Sequence, residues 1–330
     1  MKKSSLEKEI NDLYKTNDKM RNFNGYIYIS ENNNELFNQG FGRANYSSMT
    51  PFNCNTIFRL GSITKQFTAM CILILEKKGL LSIDECLGNY FPDYKSGCNI
   101  TIKQLLNMTS GIPEYLNHPE WKGHEVPGNK ALDNYYTYNF IMHLSLDYIP
   151  GEKMTYSNPN YILLSIIIEK VSGMSYPDFL QKNIFSVLNM TRSGYLPVPI
   201  HFDNIAVGYK CISPIQQETD AAIYNTSMGA NNIFSSISDL LKWDSALYSE
   251  ILISQEKINE MFSPSSAGNY GFGWFVDKEI VSHGGLTKGF NTMISRNINT
   301  KQLIIMLSNV EGNMDSHIYH YYELIKEFIW

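Results

Sequence analysis

Phe58-Arg59-Leu60-Gly61-Ser62-Ile63-Thr64-Lys65-Gln66-Phe67 heads a long apolar segment that keeps a helical pattern to about Lys78. Lys77 and Lys78 stand in its last turn and Gly79 is the stop signal. On a helix, positions three apart share a face, about one turn from each other. Ser62 and Lys65 therefore place a hydroxyl beside an amine. Serine is a poor nucleophile unless a neighbouring base takes its proton, and a desolvated lysine is neutral enough to do so. The helix start also offers free backbone N–H groups, which favour developing negative charge. Ser-x-x-Lys alone is a weak signal, because two common residues recur at that spacing by chance.

Two further motifs strengthen it. Tyr156-Ser157-Asn158 precedes Pro159 and the apolar, helix-like stretch Tyr161 to Val171, and the strand-like Glu279 to Ser282 leads into His283-Gly284-Gly285. Other phrases lie around them: Phe41 to Asn45, Ile102 to Leu106 leading to Thr109-Ser110-Gly111-Ile112-Pro113, Asp239 to Trp243, Gly271 to Trp274, and Leu307 to Asn309. Ser-x-x-Lys, Tyr-x-Asn and a basic residue before x-Gly, in that order, resemble the serine β-lactamase and penicillin-binding protein superfamily. Within it, the chain is most similar to the class C β-lactamase-related serine hydrolases, which include esterases and D-amino-acid peptidases. The phrases run in family order from about residue 23 to 312, so the resemblance covers nearly the whole chain.

The resemblance implies a nucleophile Ser62 bracketed by Lys65 and Tyr156, with either of the two as acylation base. It implies an oxyanion site from the N–H groups of Ser62 and Leu286, just after His283-Gly284-Gly285, because two such donors stabilise a developing alkoxide. Tyr156 is then expected to protonate the leaving group and later activate water, its pKa lowered by a Lys65 ammonium. Asn158 is expected to orient the substrate amide or hold Lys65. Each motif also has a plain structural reading. Asn158 before Pro159 suits a helix N-cap with proline in the first turn, and the two roles are compatible. Histidine between a strand and two glycines is a poor core choice, and the glycines let a ligand approach the backbone.

Two departures bear on substrate. The Ser-Asp-Asn triplet and the acidic deacylation residue of class A β-lactamases are not identifiable. His283 stands where true β-lactamases and cell-wall transpeptidases carry a lysine that anchors a substrate carboxylate. An unperturbed histidine titrates near 6.5 and is mostly uncharged at neutral pH. The expected substrate is therefore a small ester, amide or peptide without an obligatory carboxylate. A β-lactamase or DD-carboxypeptidase is the alternative, and a non-catalytic binding or filament-forming relative a second, which the intact Ser62, Lys65 and Tyr156 oppose.

Composition fits an ordinary globular enzyme. The 330 residues include 43 % hydrophobic and 18 % charged side chains, so a large core is available and disorder is not indicated. With 27 basic against 32 acidic residues and no basic cluster, nucleic acid is not an expected partner. Cysteines 54, 71, 86, 98 and 211 are odd in number and form no Cys-x-x-Cys pair, which favours reduced thiols. The amino terminus is basic but lacks the apolar run of a signal peptide, and no segment approaches 18 uninterrupted apolar residues. A cytoplasmic location without a membrane span is expected, unless a leader has been removed. No cofactor or metal is expected: His118, Glu120 and His124 match no standard zinc spacing, and the glycine pairs at 40/42 and 271/273 lack the context of a dinucleotide loop and read as strand glycines.

The pattern along the chain predicts an α/β (α+β) architecture, an antiparallel sheet flanked by helices plus an all-α lobe. An amphipathic helix is expected over 5–20, and hairpin strands over 25–30 and 35–41 around Asn32-Asn33-Asn34. A capping-box helix is expected from Thr101, and helices over 159–172 and 176–189. Period-two strands follow at 270–276, 279–285, 290–297 and 302–310, with a last helix from 316. Strands at both ends imply one sheet built from residues 1–81 and 230–330, with a mostly helical lobe over 82–229 inserted and the active site in the cleft between them.

Overall fold

The computed structural model describes residues 3–116, 118–121, 134–196, 202–211, 217–218, 228–312 and 318–330. The sheet joins both ends of the chain. After helix α1 (Lys3–Thr16) come β1 (Gly25–Glu31) and β2 (Asn34–Phe41), joined by a turn in which Asn32 and Asn33 take positive φ. Short strands β3 (Phe58–Arg59), β4 (Gly194–Tyr195), β5 (Tyr209–Cys211), β6 (Gln217–Glu218) and β7 (Ile233–Ser235) follow along the chain, and then β8 (Phe275–Asp277), β9 (Ile280–Thr287), β10 (Phe290–Asn297) and β11 (Gln302–Ser308). The order β2-β1-β11-β10-β9-β8 makes one six-stranded sheet, antiparallel throughout. The first and last strands are thus neighbours, with Tyr26 opposite Leu307 and Tyr28 opposite Ile305.

Side-chain alternation sorts this sheet into two cores. Ile27, Ile29, Met293, Ile304 and Met306 face α1 and the last helix, α9 (Ile318–Lys326), which add Leu6, Ile10, Ile318, Tyr321 and Ile325. Tyr26, Tyr28, Ile294, Leu303, Ile305 and Leu307 face the larger core, built around α2 (Thr64–Lys77) and α5 (Asn158–Ser172). Every residue of α2 from Thr64 to Leu75 is buried, so this helix is the central pillar of the molecule. Helices α3 (Ile102–Leu106), α4 (Asn134–Ile141) and α6 (Tyr176–Leu180) lie between α2 and β7 in sequence, and α7 (Ile237–Ala246) and α8 (Gln255–Met261) precede β8. A second small sheet, β3-β7-β4, ties residues 194–195 to strands on either side of them in the chain.

The recurrent sequence phrases act as braces for this pillar. Asn309 Nδ2 donates to the carbonyls of Arg43, Ala44 and Val207, at 3.3, 3.2 and 2.8 Å. Trp243 stacks on Phe67 with ring centroids 4.3 Å apart and donates its Nε1–H to Gln66 Oε1. Thr101 forms the expected capping box with Gln104 at the start of α3. Gly271 to Trp274 is not strand: Gly273 has φ +82°, and its Cα lies so close to the Lys65–Gln66 backbone that an added Cβ would sit 2.8 Å from Lys65 O. The chain bends there to lie on α2, so β8 starts only at Phe275. The expected helix over 176–189 is likewise α-helical only to Leu180, and continues as a wider π turn over Gln181–Phe185. No helix among the described residues is long and apolar enough to cross a membrane.

Candidate active site

Ser62 sits in a single 3-10 turn, Gly61–Ile63, that feeds directly into α2. The turn is held from two sides. Leu60 N–H donates to Ile233 O at 2.9 Å and Thr64 Oγ1 accepts Ile233 N–H at 3.1 Å, fastening it to β7. On the other side, β10 supplies Thr292, whose hydroxyl donates to Leu60 O at 2.8 Å. Strand β9 passes almost against the turn. A Cβ on Gly285 would lie 1.9 Å from Leu60 O, and one on Gly61, which has φ +58°, would lie 2.8 Å from Leu286 N. Only glycine fits at both positions. The result places the Leu286 amide beside the turn that carries Ser62.

Lys65 is completely buried. Its Nζ lies 3.0 Å from Ser62 Oγ, 2.8 Å from Asn158 Oδ1 and 2.9 Å from Ala230 O. Burial disfavours the ammonium and pulls the Lys65 pKa from 10.5 down to about 7, against a smaller upward pull from Glu114. A neutral amine matches this surrounding atom for atom. Its two N–H groups serve the two pure acceptors, Asn158 Oδ1 and Ala230 O, and its lone pair is left for the Ser62 hydroxyl.

Tyr156 flanks the same pair, and Ser62 exerts a small downward pull on its phenol. Its ring lies under Lys65 Nζ, 4.8 Å from ring centroid to nitrogen, stacks parallel to Phe275 and meets Tyr270 edge-on. The structure therefore brings Ser62, Lys65, Tyr156 and Asn158 together. It reverses one expectation. Burial raises the Tyr156 phenol well above its ordinary value, and Lys65 does not lower it. Desolvation disfavours phenolate and ammonium alike, so the same dry site neutralises both groups.

Asn158 is the first residue of α5, and the cap position belongs to Ser157. The cap comes from afar: Glu114 Oε2 accepts both the Asn158 backbone N–H, at 2.8 Å, and its side-chain Nδ2–H, at 2.9 Å. Glu114 has no role in the sequence reading, which stopped one residue short of it at Pro113. Three residues are also unanticipated: Ala230, a carbonyl on a turn, and two of the chain's 22 tyrosines, Tyr270 and Tyr319, the latter with its hydroxyl 2.8 Å from where a Cβ on Gly284 would sit.

His283 departs furthest from expectation. It is 1 % exposed, its Nε2 lies 2.9 Å from Tyr270 Oη, and its Nδ1 lies 2.6 Å from Gly284 O. A neutral ring with the proton on Nδ1 satisfies both contacts, donating to the carbonyl and accepting from the phenol. Burial, reinforced by Lys65, lowers its pKa to about 3. The imidazole is a neutral wall residue, not a group that titrates near 6.5 at the mouth of the cleft. His124 lies outside the described residues, and no cluster of three or more His, Cys, Asp or Glu suited to a metal occurs among those described.

A family model described as beta-lactamase matches residues 11–326. Penicillin-binding protein 4* of Bacillus subtilis is 33 % identical over 95 % of this chain and 74 % of its own length. The D-amino acid amidase of Ochrobactrum anthropi SV3 superposes with a TM-score of 0.83 at 20 % identity, covering 98 % of this chain and 99 % of the other. A class C β-lactamase does so with a TM-score of 0.80 at 20 % identity, covering 99 % of this chain and 98 % of the other. The two structural likenesses establish the shared fold.

Proposed function

This chain belongs to the β-lactamase family, and on that premise we propose that it is a serine hydrolase that cleaves a small ester or amide through an acyl-Ser62 intermediate. The observation that carries the reading is Lys65, which is buried, aimed at Ser62 Oγ at 3.0 Å and shifted to about pH 7. At pH 8 it is mainly the free amine that a base requires.

Acylation then runs as follows. Lys65 takes the Ser62 proton as Oγ bonds to the substrate carbonyl carbon, and the N–H groups of Ser62 and Leu286 receive the developing oxyanion. Tyr156 stays a neutral phenol at working pH. It passes its proton to the departing oxygen or nitrogen and is reprotonated by the Lys65 ammonium, which restores the free amine. Water attacks the acyl-Ser62 carbonyl in the second half-reaction, giving up a proton through the same pair while the Ser62–acyl bond breaks. The neutral His283 and the surrounding rings of Tyr156, Tyr270 and Phe275 support a substrate that is uncharged beside β9. The relatedness to a protein named for penicillin binding supports β-lactams as a second class of acylating ligand.

The test is intact-protein mass after treatment with a fluorophosphonate, p-nitrophenyl esters and a fluorescent penicillin. The expected result is a single adduct at Ser62 with the fluorophosphonate and turnover of the ester, both absent in Ser62→Ala with an unchanged circular dichroism spectrum. Ester turnover retained in Ser62→Ala places the chemistry elsewhere. A long-lived penicillin adduct without ester turnover favours the penicillin-binding reading.

A further inference from the structure

Glu114 is a half-buried carboxylate without a part in the mechanism above, yet it bonds to Asn158 and acts on both Lys65 and Tyr156. One oxygen, Oε2, accepts two N–H groups of a single residue, Asn158, while the other accepts the Leu116 N–H at 3.1 Å. An asparagine side chain has two ends that are nearly interchangeable in shape and opposite in hydrogen bonding. With Nδ2 turned toward a carboxylate, Oδ1 has to point the other way, and there it meets Lys65 Nζ at 2.8 Å. The reverse orientation would set an oxygen against the carboxylate and N–H groups against the Lys65 amine. The path Glu114–Asn158–Lys65–Ser62 is thus a polarised chain in which each link fixes the direction of the next.

From this geometry we infer that Glu114 is the positioning residue of the site: it locks the Asn158 amide so that Lys65 is held toward Ser62, and its fixed negative charge stabilises the ammonium formed when Lys65 takes the serine proton. The inference rests on the hydrolase reading and assigns a role that reading left empty. Charge bookkeeping supports it. Around Lys65 stand the Ser62 hydroxyl from the preceding turn, Tyr156, Asn158 and Tyr161 at the head of α5, the Ala230 carbonyl, and His283 from β9. Burial keeps the Tyr156 and Tyr161 phenols protonated and His283 uncharged at neutral pH. Among the described residues Glu114 is the one carboxylate that acts on Lys65, and it acts upward, opposing desolvation. A base needs that opposition. A lysine dried without compensation is neutral, but it also resists accepting the proton.

The distinguishing experiment uses two substitutions and two readouts. Glu114→Gln keeps the shape and removes the charge, whereas Glu114→Ala removes the clamp as well. The first readout is the Lys65 titration, followed by 13C NMR of protein carrying [13Cε]lysine, in a Ser62→Ala background so that it needs no turnover. In Glu114→Gln the midpoint is expected to move down by about one pH unit, the size of a single charge acting through a partly screened interior. The second readout is the pH profile of acylation by a p-nitrophenyl ester. Its acid limb is expected to move down with Lys65 while its plateau falls several-fold, because a weaker base forms. Glu114→Ala is expected to lose roughly 100-fold in the plateau with KM little changed, the range attributed to misplaced catalytic groups. Glu114→Asp should return the limb toward its original position. An unmoved Lys65 midpoint in Glu114→Gln, or a lowered plateau with the limb in place, would overturn the inference and leave Glu114 as a helix cap only. If Ser62 proves unreactive the hydrolase reading fails, but the Lys65 titration still decides whether Glu114 sets that amine.

Discussion

On the proposed mechanism, Lys65 sets both the rate and part of the stability of this protein through one quantity, the gap between its unfolded pKa near 10.5 and its folded value of about 7. For the rate, an ordinary lysine at pH 7 is neutral in roughly one molecule in three thousand, whereas Lys65 is neutral in about half. Burial therefore supplies about three powers of ten in active base at that pH. The acylation rate is expected to climb tenfold per pH unit below 7 and to level off above 8. For stability, the sign follows from proton counts. Between pH 7 and 10.5 the unfolded chain holds a proton on Lys65 that the folded protein has released, so stability rises with pH across that window. The contribution is complete above 10.5 and lost below 7. At about 1.4 kcal/mol per pH unit, the full span is on the order of 5 kcal/mol. Urea unfolding of the parent and Lys65→Met at half-unit steps from pH 6.5 to 9.5 isolates it, since every other group titrates in both proteins. The parent should gain about 1.4 kcal/mol per pH unit relative to Lys65→Met, and Lys65→Met should be the more stable of the two at pH 6.5. Parallel stability curves, with an acylation limb centred near pH 10, would refute the argument that burial prepares this amine.

Two other expectations test distinct parts of the molecule. Arg296, fully buried on β10, pairs its Nε with Asp244 Oδ1 at 3.0 Å and lies over the ring of Tyr248 at 4.2 Å, so Asp244→Ala should strand a buried cation and cost about 3–5 kcal/mol by chemical denaturation. His283, neutral down to about pH 3, adds no charge to the cleft. The ratio of affinities for a matched carboxylate and neutral ester, measured by calorimetry on Ser62→Ala, should stay flat from pH 5 to 8, and a step near 6.5 would show a solvent-facing imidazole.

Much of this architecture was legible because it rests on local rules. Period-two alternation in β1, β10 and β11 has one outcome, a sheet with two apolar faces, and both ends of the chain carried that pattern. The glycines between His283 and Leu286 were readable as a place of close approach, and the spacing from Ser62 to Lys65 as a shared helical face. Other features depended on distance. Tyr270 and His283 become partners only because Gly273 folds the chain back onto α2, so no local pattern announces that the histidine is occupied on both sides. The direction of the Tyr156 shift was misread for a related reason. A Lys65 ammonium would lower it, but the burial that brings the two together also removes that charge.

Glu114 shows the same limit at the level of a single residue. Next to a proline in a loop it reads as a surface carboxylate, and the partner that gives it meaning, Asn158, is 44 residues further on. Once that contact is known, the site takes a consistent electrostatic form. The nucleophile, the base, the phenol and the wall histidine can all be uncharged at the pH where the base works, and the compensating charge lies one hydrogen bond further back, on a carboxylate that touches none of the reacting atoms. A group in that position favours the transient ammonium and, by the same charge, helps keep the Tyr156 phenol protonated. Such an arrangement disfavours an anionic group bound near Asn158 and leaves neutral carbonyl substrates unaffected. On the proposed mechanism, the Glu114 charge and the uncharged His283 point the same way, toward uncharged esters and amides as the substrates to test first.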